Sequence, residues 1–330
     1  MSDVAPQASA ETEPAQPQDC RQDYRFGFHG TGGSFFLIFL KNILLTIVTL
    51  GIYLAWAKTE RRQYVWNNFS FHDQHFRYTG TGLELFKGYL VVGAAYMTFL
   101  GIPALIEQVS PTGANVARVA MVIGVLCAFP FLIFRSRAFL YNRTVWRGIR
   151  FGLAPNSGEY AKIYGVGILL TILSFGLYSS IMTNRLHRVL TDSTRFGSLE
   201  FRYSGSDREV FWMAIKGFFL SILTFGIYYF WYAAKLTRYR FEHTHVGDGA
   251  SMHCELTGGD LFGLYLLAAF ATPLSLGLAF PWITMYSIRL VASRLSVVGA
   301  IDFEGIEQRA RDAGATADGF ADVLDIDIGF

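Results

Sequence analysis

Residues 30–68 read GTGGSFFLIFLKNILLTIVTLGIYLAWAKTERRQYVWNN. An apolar run is interrupted in the middle by Thr49-Leu50-Gly51-Ile52-Tyr53 and closed by a basic, aromatic helical tail. The same pattern returns along the chain. Aligning Gly51 with Gly226, a shift of 175, places Thr49 on Thr224, Tyr53 on Tyr228, Trp56 on Trp231 and Lys41 on Lys216. Moving back 50 places Gly226 on Gly176 and Tyr228 on Tyr178; moving on 51 places Gly226 on Gly277 and Trp231 on Trp282. Several residue types matching at one fixed shift point to a module copied along the polypeptide.

The composition says what solvent the module meets. The chain has 330 residues, 52% hydrophobic and only 16% charged, against about 25% charged in ordinary soluble domains. Apolar runs at residues 35–57, 85–106, 116–134, 163–182, 211–234 and 261–285 each approach the roughly 20 residues that cross a hydrocarbon core. The fold class expected is therefore an α-helical polytopic membrane protein of repeated apolar helical, re-entrant hairpins. Short β-strands are expected in the cytoplasmic connecting blocks. The domain reading is an acidic disordered tail over 1–23 and one membrane domain over 24–307. Its units are 30–80, 81–155, 156–205, 206–258 and 259–305, and a second acidic tail follows over 308–330. The second unit is the longest, with two apolar limbs around a turn at Pro111 and Gly113.

Charge supports a lipid partner. Residues 1–23 carry −4 and residues 302–330 carry −6, which leaves +12 on the middle of a chain whose total is +2. The basic residues sit at the ends of apolar segments, where they favour the cytoplasmic side and anionic phospholipid head groups. No nucleic acid is expected, and protein partners are not legible. Cys20, Cys127 and Cys254 suggest no disulfide framework. No basic and then apolar leader opens the chain, so no cleaved signal peptide is expected.

Blocks such as Phe76-Arg77-Tyr78-Thr79-Gly80 and Phe201-Arg202-Tyr203-Ser204-Gly205 alternate aromatic and polar residues before a turn. They read as short strands, with Cys254–Gly258 a weaker copy and 25–28 and 300–303 as fragments. Thr79, Ser206 or Thr257 would cap the helix that follows. The Thr-x-Gly-x-Tyr break reads as a hairpin tip, because glycine serves where a helix ends at positive φ. That places every basic tail on one side. The alternative is a straight span with glycine used for helix packing.

With these residues the chain resembles the YjgN-type family of uncharacterised bacterial inner-membrane proteins. The carriers are Thr49–Tyr53 with Trp56-Ala57-Lys58, and Phe76 to Phe86. The resemblance covers about residues 26–307. It implies a multi-pass inner-membrane location, and brings no reaction and no catalytic residue. Ile181 in place of the tryptophan and Ala279 in place of the tyrosine depart from the pattern.

Few residues offer chemistry. His243, His245, His253 and Cys254 fall close together and are the candidate metal ligands, although their spacing fits no standard set. Lys41 and Lys216 stand at matched places inside apolar runs, and Glu107 beside a turn; these are the candidate pathway or lipid-facing groups. Snorkelling to the interface is the plainer account of the lysines. Gly51, Gly176, Gly226 and Gly277 with Tyr53, Tyr178 and Tyr228 are the repeat-turn residues. No nucleotide, nucleophile-elbow or metalloprotease motif is present, so neither an enzyme nor a cofactor is expected. The function expected is a membrane organiser or envelope-stress component with a basic cytoplasmic face. The alternative is a transporter or channel with a path between the repeats. The amino terminus is expected on the cytoplasmic side.

Overall fold

The structure is a computed structural model and describes residues 22–301 and residue 306. Both expected acidic tails, apart from residues 22 and 23, lie outside the described residues, as do Cys20 and residues 302 and 303 of the fragment 300–303. Gln22 and Asp23 are not tail: they open strand β1 (Gln22–Phe28). The chain then alternates paired helices with paired strands. After β1 come α1 (Gly32–Val48), α2 (Leu54–Asn67), β2 (Phe69–Phe71) and β3 (Gln74–Tyr78). Next are α3 (Gly82–Glu107), α4 (Pro111–Asn142), β4 (Thr144–Trp146) and β5 (Ile149–Leu153). They are followed by α5 (Ser157–Leu173), α6 (Ser179–Ser193), β6 (Thr194–Phe196) and β7 (Leu199–Tyr203). The last elements are α7 (Asp207–Leu223), α8 (Tyr229–Glu242), β8 (Thr244–Val246), β9 (Ala250–Cys254), α9 (Gly258–Leu274), α10 (Phe280–Ser293) and β10 (Leu295–Gly299).

The ten strands close into one antiparallel barrel, with β1 completing the circle between β10 and β2. The sequence suggests a small sheet; the three-residue strands β2, β4, β6 and β8 are too short to leave an alternation signal and are seen only in the structure. Connections in such a barrel alternate between its two rims. Helical pairs make every connection from an odd strand to the next even one, and tight turns make the others. All five helical pairs therefore rise from one rim. The turns at the other rim use left-handed residues, His72 and Asp73 (φ 47° and 58°) and Arg147 and Gly148 (φ 50° and 80°), as two-residue hairpins require. Above the barrel each helix packs on the helices before and after it, and α10 packs on α1, closing a second ring.

The barrel is filled. Tyr24, Phe71, Phe76, Trp146, Phe196, Val246, Ala250 and Val297 come from eight strands and form one buried cluster, so they meet on the inside. Trp146 lies 5.4 Å from both Phe71 and Phe196, centroid to centroid. Ile301 and Ile306, beyond β10, pack onto the same cluster.

Four of the six apolar runs are divided by a turn. Among the described residues only α3 and α4 are long and apolar enough to cross a membrane; α1 and α9 are apolar but 17 residues long. At 1.5 Å per residue, 17 residues reach about 25 Å, short of the roughly 30 Å hydrocarbon thickness. Capping fixes where the helices begin. Thr81 and Thr257 make capping boxes with Glu84 and Asp260, and Thr31 accepts from the Ser34 amide. The expected cap Thr79 instead donates to the Arg143 carbonyl at 3.1 Å, because strand β3 ends one residue earlier and α3 starts later. Ser206 occupies a cap position without a side-chain bond.

Candidate membrane-facing site

The turn between each short helix pair is built the same way. At the first, the Gly51 amide donates to the Thr46 carbonyl and the Leu50 amide to the Ile47 carbonyl, the paired bonds of a Schellman ending. Gly176, Gly226 and Gly277 repeat the long bond to Thr171, Ser221 and Thr272 at 2.7, 2.6 and 2.8 Å. The hydroxyl before each turn then caps the second helix. Thr49, Ser174, Thr224 and Ser275 accept from the amides of Tyr53, Tyr178, Tyr228 and Ala279 at 2.9–3.0 Å. This explains the recurring Thr/Ser, which satisfies an amide the helix start would otherwise leave bare.

One detail departs from the sequence expectation. Glycine is not the first left-handed residue. Leu50, Phe175, Phe225 and Leu276 precede it at φ 50–52° and point outward with relative exposures of 95, 98, 98 and 93%. A non-glycine residue there costs on the order of 1 kcal/mol. Four large apolar side chains thus stand at the tips of the four short helical pairs, at the ends away from the barrel. Of the turn tyrosines, Tyr53 stacks on Trp56 at 6.2 Å, and the Tyr178 hydroxyl accepts from Arg185 at 3.1 Å.

The tryptophans lock one pair to the next. A Cβ on Gly82 would come 2.5 Å from Trp56, one on Gly258 2.4 Å from Trp231, and one on Gly32 2.2 Å from Trp282. The first turn of α3, α9 and α1 therefore carries glycine so that the preceding indole can lie flat against it. Gln63, Arg188 and Arg289 add donors to the Gly80, Gly205 and Gly30 carbonyls at 3.2, 2.6 and 2.8 Å.

The seam between α6 and α7 is different. Ile181 replaces the tryptophan and Asp207 the glycine. Asn184, fully buried, donates to Asp207 at 2.8 Å and accepts from the Tyr203 hydroxyl at 2.8 Å. Arg185 donates to the other Asp207 oxygen at 2.7 Å. Burial pushes the Asp207 carboxyl up, but the hydrogen bonds from Arg185 and Asn184 and the Arg188 charge outweigh it, so it titrates below its usual range. Burial lifts the Tyr203 phenol to about 12. Beside it His187 meets the Tyr203 ring edge-on at 4.9 Å, with Nε2 buried and unpartnered. Burial, and then the Arg240 charge, push its imidazole down to about 4.

The candidate chemical groups scatter. Lys41 pairs with Glu60 of α2, and Glu107 with Arg118 of α4. Lys216 is exposed on α7. His243 contacts the Tyr239 carbonyl at 2.8 Å and His245 the Ser204 hydroxyl at 3.0 Å. His253 is exposed whereas Cys254, its neighbour, is buried at 1%: successive residues of a strand face opposite sides, so these two cannot share an ion. Among the described residues no group of three His, Cys, Asp or Glu is placed to hold a metal.

A family model described as "Bacterial protein of unknown function (DUF898)" matches residues 23–221, 198–250 and 232–323. The chain belongs to this family. Curated relatives carry the name "Inner membrane protein YjgN", in agreement with the resemblance read from the motifs. That of Salmonella typhimurium LT2 is 35% identical over 125 residues, covering 38% of this chain and 30% of the relative. That of Escherichia coli O157:H7 is 32% identical over 165 residues, covering 50% and 39%. Each match thus spans well under half of the relative. No solved structure matches.

Proposed function

We propose that this chain is a multi-pass inner-membrane protein that organises the bilayer around it rather than moving a solute through it. The carrying observation is the set of four outward apolar side chains, Leu50, Phe175, Phe225 and Leu276, held at positive φ on tips that all rise from one rim. A backbone cost retained at four places to expose Leu and Phe makes sense where the surroundings are acyl chains. The tips then dip into the near leaflet as re-entrant hairpins, while α3 and α4 cross. Backbone at that depth must be satisfied internally, and the Schellman bonds and hydroxyl caps do so.

The barrel stands at the cytoplasmic surface in this reading. Arg61, Arg135, Arg137, Lys235 and Arg238 are exposed on the second helices of their pairs and meet anionic head groups there, each worth about 1 kcal/mol. The names of the relatives support the location. The aromatic filling of the barrel argues against a path along its axis. An envelope-stress role is one use of such an organiser. A transporter is the second reading, favoured by one observation: the ten helices close into a ring, and helices that break within the bilayer are a feature of transporters.

The experiment places single cysteines, in a cysteine-free background, at Leu50 and Phe225 (tips), Asp73 and Gly247 (barrel turns) and Val109 (the α3–α4 turn). The expected result with a membrane-impermeant maleimide is labelling of the barrel turns from the cytoplasm only, of Val109 from the opposite side only, and of the tips from neither. Tips labelled from the far side sink the re-entrant placement. Solute flux through liposomes that is lost in Lys41→Ala or Lys216→Ala replaces the organiser with the transporter.

A further inference from the structure

A cavity of about 360 Å³ lies between α1 and α2 beneath Tyr89 of α3, within the usual range for small-molecule sites. Its walls are of two kinds. Phe39, Ile43, Ile47 and Leu54 are apolar; Asn42, Lys58 and Arg61 are not. Asn42 is 8% exposed, and its Oδ1 is buried with no hydrogen-bond partner. A buried amide oxygen left bare is a cost that native structures rarely carry without a reason. Lys58 sits 6.0 Å from the Tyr89 ring centroid. Among the described residues neither Lys58 nor Arg61 has a carboxylate partner; the nearby Glu60 is taken by Lys41.

The cavity is also ordered along its length. The Lys41–Glu60 pair and the 5.4 Å contact of Phe35 with Tyr64 fix the register of the antiparallel helices. Asn42, Lys58 and Arg61 therefore fall within about a turn of helix of one another, with Phe35 and Ile38 on their barrel side and Ile47 and Leu54 beyond them toward the tip. Two cations and an acceptor beside apolar walls, branched and aliphatic toward the tip, describe an amphiphile.

We propose that this cavity binds the anionic, hydroxyl-bearing phosphoryl head group of a phospholipid together with the first part of one of its acyl chains. The phosphoryl oxygens meet Lys58 and Arg61, the hydroxyl donates to Asn42 Oδ1, and the chain runs along Ile43, Ile47 and Leu54 toward the tip. Binding itself does not depend on the membrane placement proposed above; only the direction of the chain relative to the bilayer does. Of the four short helical pairs, the first alone has this trio, since Lys58 and Arg61 align with Thr183 and Leu186, with Ala233 and Leu236, and with Thr284 and Ser287.

The test is native mass spectrometry of the full-length protein in detergent, mixed in turn with phosphatidylglycerol, phosphatidic acid and phosphatidylcholine. One phosphatidylglycerol is expected to be retained about tenfold better than phosphatidylcholine, a difference removed by Lys58→Met/Arg61→Met. Asn42→Leu should bring phosphatidylglycerol down to the level of phosphatidic acid, which lacks the hydroxyl. Ala57→Trp, which fills the space without touching a charge, should exclude the lipid and guards against loss by misfolding. Lys87→Met, outside the cavity, should change nothing. Equal retention of phosphatidylcholine, or retention indifferent to both the double variant and Ala57→Trp, overturns the site and leaves only unselective annular lipid. These results are independent of the cysteine map, so either proposal can fail alone.

Discussion

Two seams between neighbouring helical pairs solve one problem in opposite ways. Between α2 and α3 the contact is an indole laid on a glycine, Trp56 on Gly82. Between α6 and α7 the same two places hold Ile181 and Asp207, and the contact is a carboxylate wrapped by Asn184, Arg185 and Arg188. Both substitutions occur together, which is what a shared physical contact demands: without the ring there is space over the helix start, and a carboxylate in the first turn of α7 is favoured by the helix dipole. The apolar seam depends on shape and is indifferent to pH. The polar seam depends on ionisation and is not.

The largest effect should come from attacking the polar seam. Asp207→Ala leaves Asn184 fully buried with its amide donors unmatched and removes the Arg185 partner. Since Arg185 is 47% exposed and screened by solvent, the loss is about 2 kcal/mol, most of it from Asn184. It should appear as a fall of several degrees in the melting midpoint of the detergent-solubilised protein, whereas an unchanged midpoint would mean the cluster is ornamental.

Acid is the second probe of the contrast. His187 binds its proton more weakly when folded, at about 4 against an ordinary 6.5. The unfolded chain then holds more protons between those values, so stability is full above pH 6.5 and falls as pH drops toward 4. The loss from this group, discounted for partial exposure, is on the order of 2 kcal/mol. His187→Gln, which stays uncharged, should flatten the melting midpoint across that window, and an identical slope in both proteins would remove His187 from the account. Asp207 adds a further loss only at lower pH, as it takes up its proton below the usual carboxylate range.

On the apolar seam, Gly82→Ala drives a methyl into Trp56, for about 1–2 kcal/mol. The informative measurement is the double-mutant cycle with Trp56→Ala: the glycine substitution should become nearly neutral once the indole is gone, and additivity of the two would separate them. The smallest change expected is at a tip. Phe225→Gly relieves a left-handed phenylalanine and should stabilise the protein by at most about 1 kcal/mol, read as a slightly higher melting midpoint in detergent, while weakening the hold of the tip on liposomes.

Much of this was readable in the sequence, and what was not follows a rule. The Thr/Ser-x-Gly-x-Tyr break announced itself, because a Schellman turn with a hydroxyl cap is a local device whose residues lie within five positions. The barrel did not. Strands of three residues such as β2 and β6 have no period to detect, and their existence is decided by neighbours far away in the chain. Thr79 was a reasonable cap by type and lost to Thr81 because β3 needed the chain to run on before α3 could start. The His243–Cys254 grouping was close in sequence and separated in space by strand alternation. Asn42 was invisible: an asparagine in an apolar run reads as a tolerated polar residue until the fold shows its oxygen buried without a partner on the wall of a cavity that two cations also line.

The join between the first and last pairs has a consequence for biosynthesis. Strand β1 must wait for β10, Trp282 for Gly32, and Arg289 for a carbonyl 259 residues earlier. Until the ribosome has delivered β10, the molecule is an open arc whose first strand has one bare edge, the kind of surface that recruits unwanted strands. A stalled or prematurely ended product carries that edge permanently. Synthesis as far as β10 is thereby registered in the shape of the protein, as an arc that has closed into a ring.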